Sequence, residues 1–232
     1  MLMKEHIVRA FTDELEQLGA DLLSMGGLAE SMIGDACDAV LTGDLEAAEQ
    51  IVERDQRVDQ YEIEIERQIT RMLALRQPMA SDLREVLSAL RISSELERIG
   101  DLSKSMAKRI GMIDAEDNRL VLQGVKRLGN AVSQQLNLVL DAYSGRSVDM
   151  AIQVWTSDED VDRHYNSYFR EVLTYMMEDP RIISEGTHIL FIAKNLERIG
   201  DHSTNIAEHV YYLITGKTLI GDDRPKVSDV NS

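Results

Sequence analysis

Little in this chain opposes helix formation. Among its 232 residues there are three prolines (Pro78, Pro180, Pro225), and aromatic residues make up 5%. Leu, Ile, Met, Ala, Glu and Arg supply much of the rest, a composition that favours long helices over strands. A single cysteine, Cys37, rules out an intrachain disulfide and points to a reducing compartment. It sits mid-helix with no evident base beside it, so nothing suggests a nucleophile. Basic residues are outnumbered 25 to 41, for a formal charge of −16. That balance argues against a nucleic-acid binder, because neutralising phosphates needs a basic surface. No long apolar stretch follows Met1-Leu2-Met3-Lys4-Glu5-His6, so no signal peptide is expected. No run is long enough for a membrane span. The expectation is a soluble, cytoplasmic protein.

What is present is periodic. Hydrophobic residues make up 44% of the chain, and Gly, Asp and Pro clusters divide it into six long segments. They run from about His6 to Leu41, from Asp44 to Arg76 ahead of Pro78, and from Ser81-Asp82 to Ile110. After a connection at 111–118 come Leu120 to Tyr143, Ser147 to Met177 ahead of Asp179-Pro180, and Ile182 to Ile214 before Thr215-Gly216. Asp44 and Ser81-Asp82 read as helix caps. Each segment would be roughly 45 Å long as a helix, and the short turns between neighbours imply antiparallel bundles. The fold class is therefore all-α. A first three-helix bundle is expected over 5–113 and a second over 117–216, with a polar tail over 217–232.

The halves share more than a pattern. Leu-Glu-Arg-Ile-Gly-Asp stands at Leu96–Asp101 and again, one hundred residues later, at Leu196–Asp201. Ile92 and Ile192, and Ala107 and Ala207, extend the match, so the chain reads as a duplicated unit. In the fifth segment Ala151, Trp155, Asp158, Asp162, Tyr165, Phe169, Val172 and Met176 alternate at the spacing of one helix face. The second segment repeats this register with Val52, Asp55, Asp59, Glu62, Glu66, Ile69 and Leu73. Asp55/Asp59 and Asp158/Asp162 thus occupy matching places. Glu97/Asp101 and Glu197/Asp201 form the second pair in each half, on the side of Leu90 and Leu190.

Two carboxylates one helical turn apart repel weakly when exposed. Turned toward a neighbouring helix, they are costly unless paired or bound to a cation. Arg98, Arg198, Lys194 and Arg54 are available partners. Four carboxylates per half also match the way bundles build oxygen-only metal sites from facing helices. Such ligands suit magnesium, manganese, calcium or iron, with zinc a further candidate. The competing reading is that the acids are salt-bridged across the bundle or rim it in water.

The doubled hexapeptide, some hundred residues apart, resembles the PhoU family of phosphate-signalling regulators. Ala193–Glu208 (Ala-Lys-Asn-Leu-Glu-Arg-Ile-Gly-Asp-His-Ser-Thr-Asn-Ile-Ala-Glu) resembles the signature of that family's second repeat. Met25-Gly26-Gly27-Leu28 and Arg76–Arg84 agree in the first half, and the likeness spans about residues 5–216. The resemblance implies two three-helix bundles related by a pseudo-twofold axis. It also implies metal ions held by Asp55, Asp59, Glu97 and Asp101 in one half and by Asp158, Asp162, Glu197 and Asp201 in the other. Asn205 fits the pattern where the first repeat has Ser105, which suggests unequal sites. The implied role is a non-enzymatic negative regulator of the phosphate-starvation response, acting as a homodimer. Its partners would be the ATPase subunit of the phosphate ABC transporter and a sensor histidine kinase, which bring it to the membrane only indirectly.

Rival chemistries find less support. Glu185-x2-His188 is a di-iron ligand motif, but the first half offers Glu85 and Ser88 in its place. Gly26-Gly27 lacks the Lys-Ser/Thr of a phosphate-cradling loop. His202 and His209 read as surface or core imidazoles. Met25, Met32, Met72, Met79, Met106 and Met112 read as core filler. A carboxylate-cluster metalloenzyme and a metal-independent helical scaffold remain as alternatives.

Overall fold

In the computed structural model, residues 2–219 are described, with side chains from residue 11 onward. Six long helices account for nearly all of them: α1 (Leu2–Thr42), α2 (Leu45–Arg76), α3 (Ser81–Ala107), α4 (Arg119–Ser144), α5 (Val148–Glu178) and α6 (Ile183–Thr215). No strand occurs among the described residues, and the expected all-α architecture is the one found. Short 3-10 turns at Ile110–Met112 and Pro180–Ile182 lie in the connections before α4 and α6.

Side-chain caps open α2 and α5, whereas α3, α4 and α6 begin without one. The Asp44 side chain accepts from Ala47 N at 3.0 Å, and Ser147 from Met150 N at 3.3 Å. The third helix departs from expectation. Its first turn is entered through Ala80 at a φ of +51° with no side-chain cap, so neither Ser81 nor Asp82 performs that role.

α1, α2 and α3 pack together as one bundle, and α4, α5 and α6 as the other. The bundles meet through α1 against α4 and α3 against α6. Both contacts are antiparallel, since Asp38 pairs with Lys126 and Glu30 with Asn137, while Glu95 meets His202 and Arg109 meets His188. Gly26 on α1 lies under Leu140 of α4, and Gly129 on α4 lies under Cys37 of α1. These are the same contact seen from either side of the pseudo-twofold axis. A methyl at either glycine would intrude on its neighbour, so both permit a close helix approach. Cys37 is buried there and its thiol is pushed up to about 12 by burial, which removes it from chemistry at neutral pH.

The buried face of α2 is Ile51, Asp55, Val58, Ile65, Ile69 and Met72. It lies beside the stripe read from the sequence, so Glu66 is exposed and Asp59 and Glu62 sit on the edge of the seam. On α5 the same shift places Val161 and Tyr168 in the core, with Tyr165 and Phe169 on its flank. Two of the methionines also depart from expectation. Met79 and Met112, in the turns, are 79% and 60% exposed, whereas Met25, Met32, Met72 and Met106 are buried.

Candidate metal centre

In the first half, Asp55 enters the α2–α3 seam from a core position and is 2% exposed. Burying an ionised carboxylate there is costly without a compensating cation, and the chain supplies one. Lys104, one turn beyond Asp101 on α3, places its ammonium between the two helices. It donates to Asp101 Oδ1 at 2.8 Å and makes a short ion pair with Asp55 Oδ2. The hydrogen bond from Lys104 holds Asp101 below the usual carboxylate range. Asp55 stays raised, because its burial outweighs Lys104 and its other oxygen, Oδ1, has no hydrogen-bond partner. Burial pushes Glu97 up to about 7; Arg98 opposes, while Asp101 and Glu62 add to the rise. Arg98 itself is exposed and lies 3.5 Å from Glu97 and 3.8 Å from Asp101.

The second half has the same carboxylates and a different floor. Thr204 stands where Lys104 stands in the first repeat. Its hydroxyl donates to Asp158 Oδ1 at 3.0 Å and accepts from Gln135 Nε2 of α4 at 3.1 Å. Asp158 is 8% exposed. Above it, Asp162 of α5 and Glu197 and Asp201 of α6 each offer a carboxylate oxygen, all within 4.8 Å of one another. Among the described residues no ion pair reaches Asp162 or Asp201. Lys194 pairs with Glu197 at 2.6 Å from one turn back on the same helix, with half its side chain in water. Asp201, although its side chain is exposed, is pushed up to about 6, first by partial burial of its carboxyl and then by Glu197, Asp158 and Asp162.

Three hard oxygen donors this close, drawn from two helices, can share one cation at the roughly 2.0–2.6 Å typical of magnesium or calcium. Divalent charge would also relieve the mutual repulsion that raises Asp201. The donor set therefore fits a metal, held by Asp162, Glu197 and Asp201 with Asp158 beneath.

All eight carboxylates expected from the sequence thus line the α2–α3 and α5–α6 seams, yet only three of them converge in this way among the described residues. Two other expectations need correction. Arg54 pairs with Asp35 at 2.6 Å rather than with the cluster. Asn205 turns away from the carboxylates and donates to Glu95 of α3 at 3.2 Å. Glu95 also meets His202 Nδ1 at 2.6 Å and lies 3.9 Å from His209 Nε2, so both imidazoles belong to the contact between halves. Glu185 and His188, the di-iron candidates, are spent elsewhere: Glu185 accepts from Asp114 N at 3.0 Å and from Asn118, and His188 from Arg109 at 3.3 Å. The residues that sequence reading missed are Lys104, Thr204 and Gln135. The first two could have been found by continuing the repeat three positions beyond Asp101 and Asp201.

The PhoU domain family matches this chain twice, over residues 22–110 and 125–210. The chain belongs to the PhoU family. It is 47% identical over 226 residues to the phosphate-specific transport system accessory protein PhoU homolog of Caulobacter vibrioides, covering 97% of this chain and 98% of that one. The corresponding Rhizobium meliloti protein is 46% identical over 222 residues, covering 95% of this chain and 93% of that one. Among solved structures, PhoU from Pseudomonas aeruginosa superposes with a TM-score of 0.85 at 41% identity, covering 89% of this chain and all of that one. The phosphate transport system regulatory protein PhoU from Streptococcus pneumoniae gives 0.83 at 32% identity, covering 90% of this chain and 99% of that one.

Proposed function

We propose that this chain is a non-enzymatic regulator of phosphate homeostasis, restraining phosphate uptake and the phosphate-starvation response from the cytoplasm. The observation that carries this reading is the near end-to-end match to proteins named as accessories of phosphate-specific transport. In this reading the protein acts as a homodimer that couples the ATPase subunit of the phosphate ABC transporter to the sensor histidine kinase. Residues 5–113 and 117–216 serve as its two structural units.

The same reading places a metal ion at Asp162, Glu197 and Asp201, above Asp158. Support comes from the convergence of three carboxylates from α5 and α6, of which only Glu197 is ion-paired among the described residues. Bound metal supplies a divalent charge that ties α5 to α6. Binding to the folded state alone stabilises by RT ln(1 + [L]/Kd), roughly 3 kcal/mol at a hundredfold excess of metal over Kd.

Deleting the gene is expected to derepress phosphate-regulated genes at high phosphate; normal repression in that strain would reject the role. A strain carrying Asp162→Ala/Asp201→Ala tests the site separately. Full repression by that variant, with its metal content unchanged, would reject the assignment of those ligands.

A further inference from the structure

The two halves differ at the position that lies between the buried carboxylate and the hexapeptide. In α3 that position carries Lys104, whose ammonium spans Asp55 of α2 and Asp101 of α3. In α6 it carries Thr204, a neutral group that only hydrogen-bonds Asp158. An ammonium that bridges two helices through one carboxylate on each occupies the place, and does the electrostatic work, of a bridging metal ion. Lys194 does not provide an equivalent in the second half. It pairs with Glu197 on its own helix, meets α5 through the Tyr165 ring at 5.4 Å rather than through a carboxylate, and is half in water.

We propose that Lys104 is a covalently attached counter-cation that makes the first half independent of metal and confines metal dependence to the second. The substitution is chemically sensible. A Lys ammonium is a compact point charge with three donors, and its attachment to α3 gives it an effective concentration that a free ion must match. A divalent ion entering the first half must displace that ammonium and leave it buried beside the metal. Entering the second half, it meets Asp162, Glu197 and Asp201, of which among the described residues Glu197 alone is ion-paired, to an ammonium that is half in water and on the same helix. Lys104 is thereby the residue that sets metal stoichiometry, and a lysine at position 204 should close the other half in the same way. The inference takes the metal reading of the second half from the proposed function, but its first-half claim stands on Lys104 alone.

The experiment uses the full chain, stripped with chelator and titrated with manganese(II). Bound metal is counted by mass spectrometry, and hydrogen exchange is followed separately in α2–α3 and α5–α6. The wild type is expected to bind manganese only where Asp162 and Asp201 are intact, with protection rising in α5–α6 alone. Thr204→Lys should reduce bound manganese to background and make α5–α6 indifferent to chelator. Lys104→Thr should roughly double the bound manganese, the gain being lost again in Lys104→Thr/Asp101→Ala. Because Lys104→Thr removes the ion pair to buried Asp55, its helicity is checked by circular dichroism; the lysine introduced at 204 leaves no buried charge unpaired and tests the idea alone. Wild-type metal lost equally through Asp59→Ala/Asp101→Ala and Asp162→Ala/Asp201→Ala would overturn the proposal while leaving the metal reading intact. A folded Lys104→Thr that gains no manganese would overturn it as well. Manganese absent from wild type yet gained by Lys104→Thr would reject the second-half metal and uphold Lys104 as the counter-cation.

Discussion

The two halves share a fold and a hexapeptide, and they treat the same buried charge in different ways. In the first, an aspartate at 2% exposure is held by a lysine. In the second, its counterpart at 8% exposure is held by a hydroxyl backed by an amide, beneath three carboxylates that face one another. Duplication supplies two equivalent seams, and position 104 against 204 sets whether an ammonium or a hydroxyl meets the buried aspartate. The apolar scaffold around both stays the same: Ile99 and Ile199, and Leu96 and Leu196, are fully buried in each. Beside this shared frame the polar floor has diverged at 104 against 204, and the packing has diverged where α4 meets α5.

The most disruptive way to test this comparison is to remove the lysine. Lys104→Met is expected to lower the unfolding free energy in urea by about 3 kcal/mol, the low end of the cost of breaking a buried ion pair. The low end applies because Asp55 can take up a proton once its partner is gone. Asp55→Asn in the same chain should recover much of that loss. The mirror change, Thr204→Val, removes hydrogen bonds but no charge and is expected to cost about 1 kcal/mol. Equal losses from Lys104→Met and Thr204→Val would mean that the halves are not electrostatically distinct.

A smaller effect tests packing rather than charge. In the second half the Tyr168 ring packs against Gly124 of α4, fixed by its hydroxyl donating to Val121 O at 2.8 Å. The corresponding places in the first half hold Ile65 and Asp21. Gly124→Ala would drive a methyl into a ring that cannot turn aside without breaking its hydrogen bond. A loss of about 1–3 kcal/mol is expected from such overpacking, partly recovered by Tyr168→Leu. A neutral Gly124→Ala, by thermal melt, would show that α4 and α5 can separate at no cost.

Much of this was legible in advance. The six helices follow from Pro78, Pro180 and the Gly/Asp breaks, and their observed ends lie within a few residues of those expected. The duplicated carboxylates were equally plain, because a Glu-x3-Asp repeated in an apolar setting is a local pattern. The buried faces of α2 and α5 were less so. Heptad spacing drifts against a straight helix of 3.6 residues per turn, so the read stripe slid from the core to its edge, and Glu66 was carried along with it. Lys104 was overlooked for a different reason: a lysine in a helix is ordinarily a solvated one, and only the seam shows what it reaches. Gln135 could not have been linked to Thr204 without knowing how α4 lies on α6.

The finest test of the comparison is titration of two equivalent aspartates, and the expected signs are opposite. Asp101 is held below the ordinary 3.8 by Lys104. Its contribution to stability is therefore present above that value and is lost as the pH falls through the folded pKa. Asp201 is raised from 3.8 to about 6 by burial and by Glu197, Asp158 and Asp162. Its contribution is full below 3.8 and is lost as the pH rises through about 6, which leaves the metal-free second half under strain at neutral pH. Carboxyl carbon NMR of metal-free protein should accordingly place the Asp101 midpoint below the ordinary value and that of Asp201 well above it. Adding magnesium should draw the Asp201 midpoint down and leave Asp101 unmoved, since metal binding favours the deprotonated ligand. Lys104→Met should raise Asp101 toward its counterpart. If the two aspartates titrate together in the wild type, position 104 does not separate the halves, and the asymmetry must be sought elsewhere in the seam.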